Sequence, residues 1–237
     1  IDVDRFKQIN DSLGHQIGDQ LLIKIAHRLN NLCQEEDTLC RLSSDEFVIL
    51  QLAADADIAT ALAERILPAM LKPYKLAGHE LVLSVSVGIA LYPQDGHTFH
   101  ELFKHADIAM YRAKQLGRNT YCFFTTNMQE YHARHLLLEN ALRRAIEQGE
   151  LSLVYQPQYS LTSHRLTGFE ALLRWQHPEL GFISPAEFIP LAETSGLMIP
   201  LGEWVIRAAL TQLAAWQQNG YNDLVLAINL SPLQFRQ

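Results

Sequence analysis

The feature that most constrains this chain is a pair of β-type runs, residues 151–159 and 168–175, around a polar spacer at 160–165. Aliphatic and aromatic runs flanking a turn-like segment predict two strands joined by a loop. Successive side chains on a strand point to opposite faces. Glu170, Leu172 and Arg174 therefore share one face, and Val154, Gln156 and Gln158 share a face of the neighbouring strand. A carboxylate and a guanidinium on an otherwise apolar face are costly unless each finds a partner. Two arrangements meet that cost. Glu170 could hold a metal beside a phosphate gripped by Arg174, or the two side chains could form a surface ion pair of little energetic value.

Downstream, Ser184-Pro185-Ala186-Glu187 carries the marks of a helix start, a serine N-cap with proline at the first helical position. Residues 197–218 are apolar along their length and predict a helix packed on a sheet. Leu224-Val225-Leu226-Ala227-Ile228 is a continuous apolar run, as expected of a strand buried on both faces. It runs into Asn229-Leu230-Ser231-Pro232, and the carboxyl end of such a strand is where a TIM-type barrel keeps its chemistry. The plainer use of Asn229 is loop hydrogen bonding beside Ser231 as an N-cap.

Glu170-Ala171-Leu172 stands between Tyr155-Gln156-Pro157 and Arg174-Trp175-Gln176-His177-Pro178. With residues 181–193 and Asn229-Leu230-Ser231-Pro232 in order behind them, these motifs resemble the EAL domain of cyclic di-GMP phosphodiesterases. The resemblance implies a TIM-like barrel. It implies Glu170 and Asn229 as ligands of Mg2+ or Mn2+, and Gln156 and Arg174 as contacts to the phosphate of cyclic di-GMP. The implied reaction is metal-assisted attack of water on one phosphodiester bond, giving linear pGpG. A whole barrel of this type needs about 250 residues. The family's later acids, its Asp-Asp-Phe-Gly segment, its lysine and its final glutamate fall beyond Gln237. The stretch as given is therefore expected not to hydrolyse cyclic di-GMP itself, whereas the intact parent is.

The first half alternates strand-like and helix-like segments, which gives an α/β or α+β unit around one sheet. Asp2 and Asp4 alternate with aliphatics at a strand exit. Leu21, Leu22, Ile25, Ala26 and Leu29 form a helical stripe over 19–32. Strands are expected at 38–42 and 46–52 around a short turn at Ser43-Ser44, with a helix over 54–71, a strand over 81–92, a helix over 98–116 ended by Gly117, and a strand at 121–125. Taken as loop chemistry, Asp2 and Asp4 face solvent, and Lys114 and Arg118 are cations favoured at a helix C-terminus.

Asp2-Val3-Asp4-Arg5-Phe6-Lys7-Gln8-Ile9-Asn10-Asp11, Gly14-His15, Gly18-Asp19, Arg41-Leu42-Ser43-Ser44-Asp45-Glu46-Phe47, Ala109 to Lys114 and Gly117-Arg118-Asn119 together resemble the GGDEF domain of diguanylate cyclases. This implies a nucleotidyl-cyclase-like domain with a ferredoxin-like core. It implies Asp2 and Asp45 as metal ligands, Asn10 and Asp19 as readers of guanine, and Lys114 and Arg118 as phosphate contacts. The family's paired glycines are Ser43-Ser44 here. Glycine takes positive φ freely, which a two-residue hairpin turn demands, and it lets the backbone approach the nucleotide. Two serines predict a domain that binds GTP weakly without making cyclic di-GMP. The family's product-inhibition motif, Arg-x-x-Asp, reads Gln34-Glu35-Glu36-Asp37, so feedback inhibition there is not expected. The family's strand and helix upstream of Ile1 are absent from the stretch, and an unstable N-terminal edge is expected.

Between the two halves, Leu137, Leu138, Ala141, Leu142, Ala145 and Ile146 recur at helical spacing, which predicts an amphipathic connecting helix over 128–150. It serves either as a tether packed on the second domain or as a lever between the domains. The domain reading is 1–125 for the cyclase-like domain, 126–149 for the connector and 150–237 for the EAL part. A formal net charge of −7 offers no nucleic-acid surface. Cys33, Cys40 and Cys122 lack metal-like spacing and read as reduced thiols of a cytoplasmic protein. No apolar run approaches the ~20 residues that span a bilayer. The resemblance implies cyclic di-GMP and GTP as ligands and a homodimer as the working state. The rival reading is a receptor that binds both nucleotides, turns over neither and signals through a protein partner.

Overall fold

The computed structural model describes residues 1–235 and divides into two compact units, Ile1–His132 and Ala133–Gln237. In the first unit, β1 (Asp2–Val3) leads into α1 (Phe6–Leu13) and α2 (His15–Asn30). Then come β2 (Thr38–Arg41), β3 (Phe47–Leu50), α3 (Ala56–Met70), β4 (Tyr74–Leu76), β5 (His79–Leu81), β6 (Val85–Ile89), α4 (Phe99–Gln115) and β7 (Tyr121–Phe123). β6 is central, antiparallel to β1 and parallel to β7. On its other edge β1 meets the start of β3, where the Phe47 amide donates to the Ile1 carbonyl at 2.8 Å and the Val3 amide to the Asp45 carbonyl at 3.1 Å. The single sheet expected from the sequence is thus a three-stranded ladder extended by the β2–β3 hairpin, with β4–β5 as a separate hairpin.

Local chemistry accounts for most of these boundaries. α2 buries Leu21, Leu22, Ile25 and Leu29 along one stripe. It begins at His15 rather than Asp19, because its first turn carries none of that stripe. Asp55 caps α3, and Thr98 with Glu101 forms a reciprocal capping box on α4. The β4–β5 hairpin turns at Ala77 and Gly78, both left-handed, as a two-residue turn of the I′ kind requires. The sequence hid it because alanine is not a turn signal at the first of those positions. The strand expected over 81–92 is β6, Val85–Ile89, and Leu81 belongs instead to β5. Gly88 lets α4 lie directly on β6: a Cβ there would stand 1.9 Å from the Ala106 carbonyl oxygen and 2.3 Å from the Met110 amide.

The Ser43-Ser44 connection departs from expectation. The ladder ends at Arg41 opposite Phe47, so the link is a longer loop and not a two-residue turn. Neither serine has positive φ, so the conformational argument against serine does not hold. Arg41 instead fixes the loop, donating to the carbonyls of Ser43 and Ser44 at 2.9 Å each.

The connecting helix is α5 (Thr126–Gln148), whose Leu138, Ala141, Leu142 and Ala145 are buried in the core of the second unit. β8 (Leu151–Tyr159), β9 (Leu166–His177), β10 (Gly181–Ile183), α6 (Pro185–Ser195), α7 (Met198–Gln218) and β11 (Val225–Ile228) follow, and a 3-10 turn spans Pro232–Phe235. β9 is the central strand: β8 runs antiparallel along one edge, while β11, parallel, and β10, antiparallel, share the other. Trp175 on β9 is fully buried against Phe188, and its indole N–H donates to Glu150 at 2.9 Å. Ser184 caps α6 as predicted, with Pro185 in the first turn. β11 is not buried on both faces: Val225 is 64% exposed, because among the described residues its only strand neighbour is β9. No helix among the described residues is long and apolar enough to cross a membrane.

Candidate functional site

In the second unit, strand register builds the site. Gln156 on β8 lies directly opposite Glu170 on β9, and Ala227 on β11 lies opposite Glu170 from the other side. The chain leaves β11 at Ile228, and the next residue, Asn229, donates from Nδ2 to Glu170 Oε1 at 2.7 Å. Two residues 59 apart in sequence thus meet at the end of a parallel strand pair. Arg174 lies further along β9, opposite Ser152, and its guanidinium donates to the Leu173 carbonyl at 2.8 Å. No ion pair joins Glu170 to Arg174 among the described residues, which sets the surface ion pair aside; the partner of Glu170 is Asn229.

The donor chemistry of this pair fits a hard cation. A carboxylate and an amide oxygen are the ligand types that Mg2+ and Mn2+ prefer. The set is partial: among the described residues no three His, Cys, Asp or Glu side chains cluster as a metal site.

In the first unit, Asp2 pairs across the sheet with Ser86 and bridges to Glu46. Its carboxylate takes Lys114 Nζ at 2.7 Å. Burial pushes the Asp2 carboxyl above the usual carboxylate range, and the Lys114 contact pulls the other way. Asp107 on α4 is also raised by burial and then by Glu46. Asp45 accepts from the Ser44 hydroxyl at 2.6 Å, and Glu46 from the Ser43 hydroxyl at 2.9 Å. Both acids read as cyclase metal ligands therefore already hold an internal donor.

The solvent-facing alternative for Asp2 and Asp4 is wrong: they are 7% and 6% exposed, because β1 is walled in by β6 and β3. Asp4 carries a structural role that the motif resemblance does not assign to it. It accepts from the hydroxyls of Ser84 at 2.6 Å and Ser86 at 2.7 Å, and from the Asn119 amide at 3.3 Å, with Arg118 Nε at 4.0 Å. Arg118 and Asn119 are both left-handed, so Asp4 anchors the turn that carries Arg118. The alternation of Ser84 and Ser86 was the available signal. Asn10 on α1 has its Oδ1 buried without a hydrogen-bond partner against Gly18, where a Cβ would approach to 1.9 Å. Asp19 is exposed on α2. A groove of about 520 Å³ is lined by Asp4, Arg5, Gln8, Ser84 and Arg118 among others. Of the four predicted nucleotide contacts, only Arg118 lines it.

Comparison with known families gives two matches: "Diguanylate cyclase, GGDEF domain" over residues 1–120 and "EAL domain" over residues 139–237. The bifunctional diguanylate cyclase/cyclic di-GMP phosphodiesterase MucR of Pseudomonas aeruginosa is 46% identical over 99% of this chain and 34% of its own length. The cyclic di-GMP phosphodiesterase PdeR of Escherichia coli is 40% identical over 99% of this chain and 35% of its own length. The chain thus spans about a third of these curated relatives. Among solved structures, the GGDEF domain of TpbB (YfiN) from Pseudomonas aeruginosa is similar, with a TM-score of 0.54 and 39% identity over 56% of this chain and 78% of that one.

Proposed function

This chain belongs to the diguanylate cyclase GGDEF family and carries an EAL domain behind it, and on that premise we propose that its parent protein hydrolyses cyclic di-GMP to pGpG while its GGDEF domain regulates and does not synthesise. The observation that carries the reading is the 2.7 Å contact of Asn229 with Glu170. Two EAL-motif side chains converge at the carboxyl end of β11, with Gln156 opposite Glu170. Glu170 and the Asn229 amide oxygen would hold Mg2+ or Mn2+. Such an ion supplies Lewis acidity at the phosphoryl oxygen and a more acidic water. Arg174 and Gln156 would bind and orient the scissile phosphate, Arg174 through a charge-assisted contact. The domain boundaries are 1–125, 126–149 and 150–237, and the working form is a homodimer.

In the GGDEF domain, Asn10, Asp19, Lys114 and Arg118 would bind GTP, with Asp2 and Asp45 toward its metal. The Ser44 hydroxyl competes for Asp45. That hydroxyl–carboxylate bond is exposed, so exchanging it is worth about 1 kcal/mol, and Ser44→Gly is expected to tighten Mn2+·GTP about fivefold by isothermal titration. Unchanged affinity would mean that Ser44 does not restrain Asp45.

The full-length protein, incubated with cyclic di-GMP and Mg2+, should release pGpG, followed by chromatography, at a rate that changes when GTP is added. A rate indifferent to GTP would remove the regulatory role, and tight binding without turnover would favour a receptor.

A further inference from the structure

Asn229 is one residue beyond β11, on a segment with little sheet structure to hold it. Its direction is set by what grips the residues behind it. Ser231 is 7% exposed and is held from two sides. Its hydroxyl donates to Glu193 Oε1 on α6 at 2.7 Å. Its amide donates to Gln234 Oε1 at 2.9 Å, and the Gln234 side chain lies on the bare backbone of Gly202 in α7, where a Cβ would come within 2.0 Å. The Ser231 hydroxyl also accepts from the Leu233 amide at 3.4 Å. α6 is a firm platform: Phe188, Leu191 and Ala192 are fully buried, and Arg134 on α5 grips Glu187 in its first turn with two N–H donors.

We propose that Glu193 is a positioning residue for the candidate metal pair, holding Ser231 so that the Asn229 amide stays beside Glu170. The assignment rests on the phosphodiesterase reading of that pair. A charged acceptor makes the stronger bond to a hydroxyl, and partners behind metal ligands tune affinity about 10- to 100-fold. Glu193 touches neither Glu170 nor Asn229 through any hydrogen bond among the described residues; its reach is through Ser231.

The test uses the full-length protein and three variants, Glu193→Ala, Glu193→Gln and Ser231→Ala, with the Glu193→Ala/Ser231→Ala double variant beside them. Two quantities are measured: hydrogen exchange of the segment around 229–234 without metal, and Mn2+ affinity by titration. Glu193→Ala and Ser231→Ala should each speed exchange and weaken Mn2+ binding about tenfold. The double variant should be no worse than Ser231→Ala alone, because Glu193 acts only through the Ser231 hydroxyl, which also accepts from the Leu233 amide. Glu193→Gln keeps an acceptor and should stay within about twofold of wild type, since it preserves the Ser231 bond. The proposal is overturned if Glu193→Ala leaves the segment's exchange unchanged. It is also overturned if Glu193→Gln loses as much Mn2+ affinity as Glu193→Ala while the segment exchanges at the wild-type rate, which would make the carboxylate a direct ligand. A wild type that binds no Mn2+ here would instead defeat the phosphodiesterase reading, and the exchange data would still decide the role of Glu193.

Discussion

Glu170→Ala in the full-length protein is expected to lower cyclic di-GMP hydrolysis about a thousandfold, since a metal's stabilisation of transition-state charge is worth several kcal/mol and each step of about 1.36 kcal/mol is a factor of ten. The fold should survive. Glu170 is half-buried on β9, its side-chain partner among the described residues is Asn229, and the core residues Ala171 and Trp175 lie elsewhere on the strand. Asn229→Ala should act in the same direction, and the two losses should not add, because neighbours that build one site are coupled. Arg174→Ala should behave differently. It removes a phosphate contact, so its effect should fall on substrate affinity as well as on turnover. Initial rates of pGpG release against substrate concentration separate these cases. A Glu170→Ala variant within about tenfold of wild type would remove Glu170 from the chemistry.

The second large effect concerns stability. Asp4→Ala is expected to destabilise the GGDEF domain by about 3–5 kcal/mol, the cost of breaking a buried charged network. Asp4 receives Ser84, Ser86 and the Asn119 amide, and Ser86 is completely buried. Its removal leaves two hydroxyls and one amide without an acceptor. Arg118 at 39% exposure adds little through its charge, because solvent screens it. Asp4→Asn keeps one acceptor oxygen and should cost about 1–3 kcal/mol, the range for an unsatisfied buried group. Urea unfolding of the full-length protein, followed by hydrogen exchange at 84–87 and 117–120, reads both. Equal costs for the two variants would mean that a neutral acceptor restores nothing and the carboxylate charge carries the whole effect, whereas an Asp4→Asn variant as stable as wild type would mean that the charge is irrelevant. Because Arg118 and Asn119 sit in left-handed backbone, GTP affinity should fall along with stability.

Where sequence and structure agree, a local rule was unopposed. The β8–β9 pair, the serine cap on α6 and the buried stripe of α2 all follow from periodicity and cap chemistry. The meeting of Glu170 with Asn229 was implied by motif order, but its geometry came from register: Ala227 opposite Glu170 puts Asn229 just past the strand end. The misses have tertiary causes. The burial of Asp4 depends on two serines about 80 residues away in the chain, which no window includes. Ala77 takes a left-handed turn position because the β4–β5 pairing demands it. The Ser43-Ser44 loop avoids positive φ because the ladder stops at Arg41 and Phe47 and leaves slack. What the serines do to the site is chemical and not conformational: their hydroxyls occupy the acids.

The most direct measurement is a paired assay on one preparation of the full-length protein with Mg2+, one aliquot given cyclic di-GMP and the other GTP, both resolved by chromatography. The account predicts pGpG from the first and no cyclic di-GMP from the second. Cyclic di-GMP recovered intact from the first aliquot, or made from GTP in the second, would contradict it.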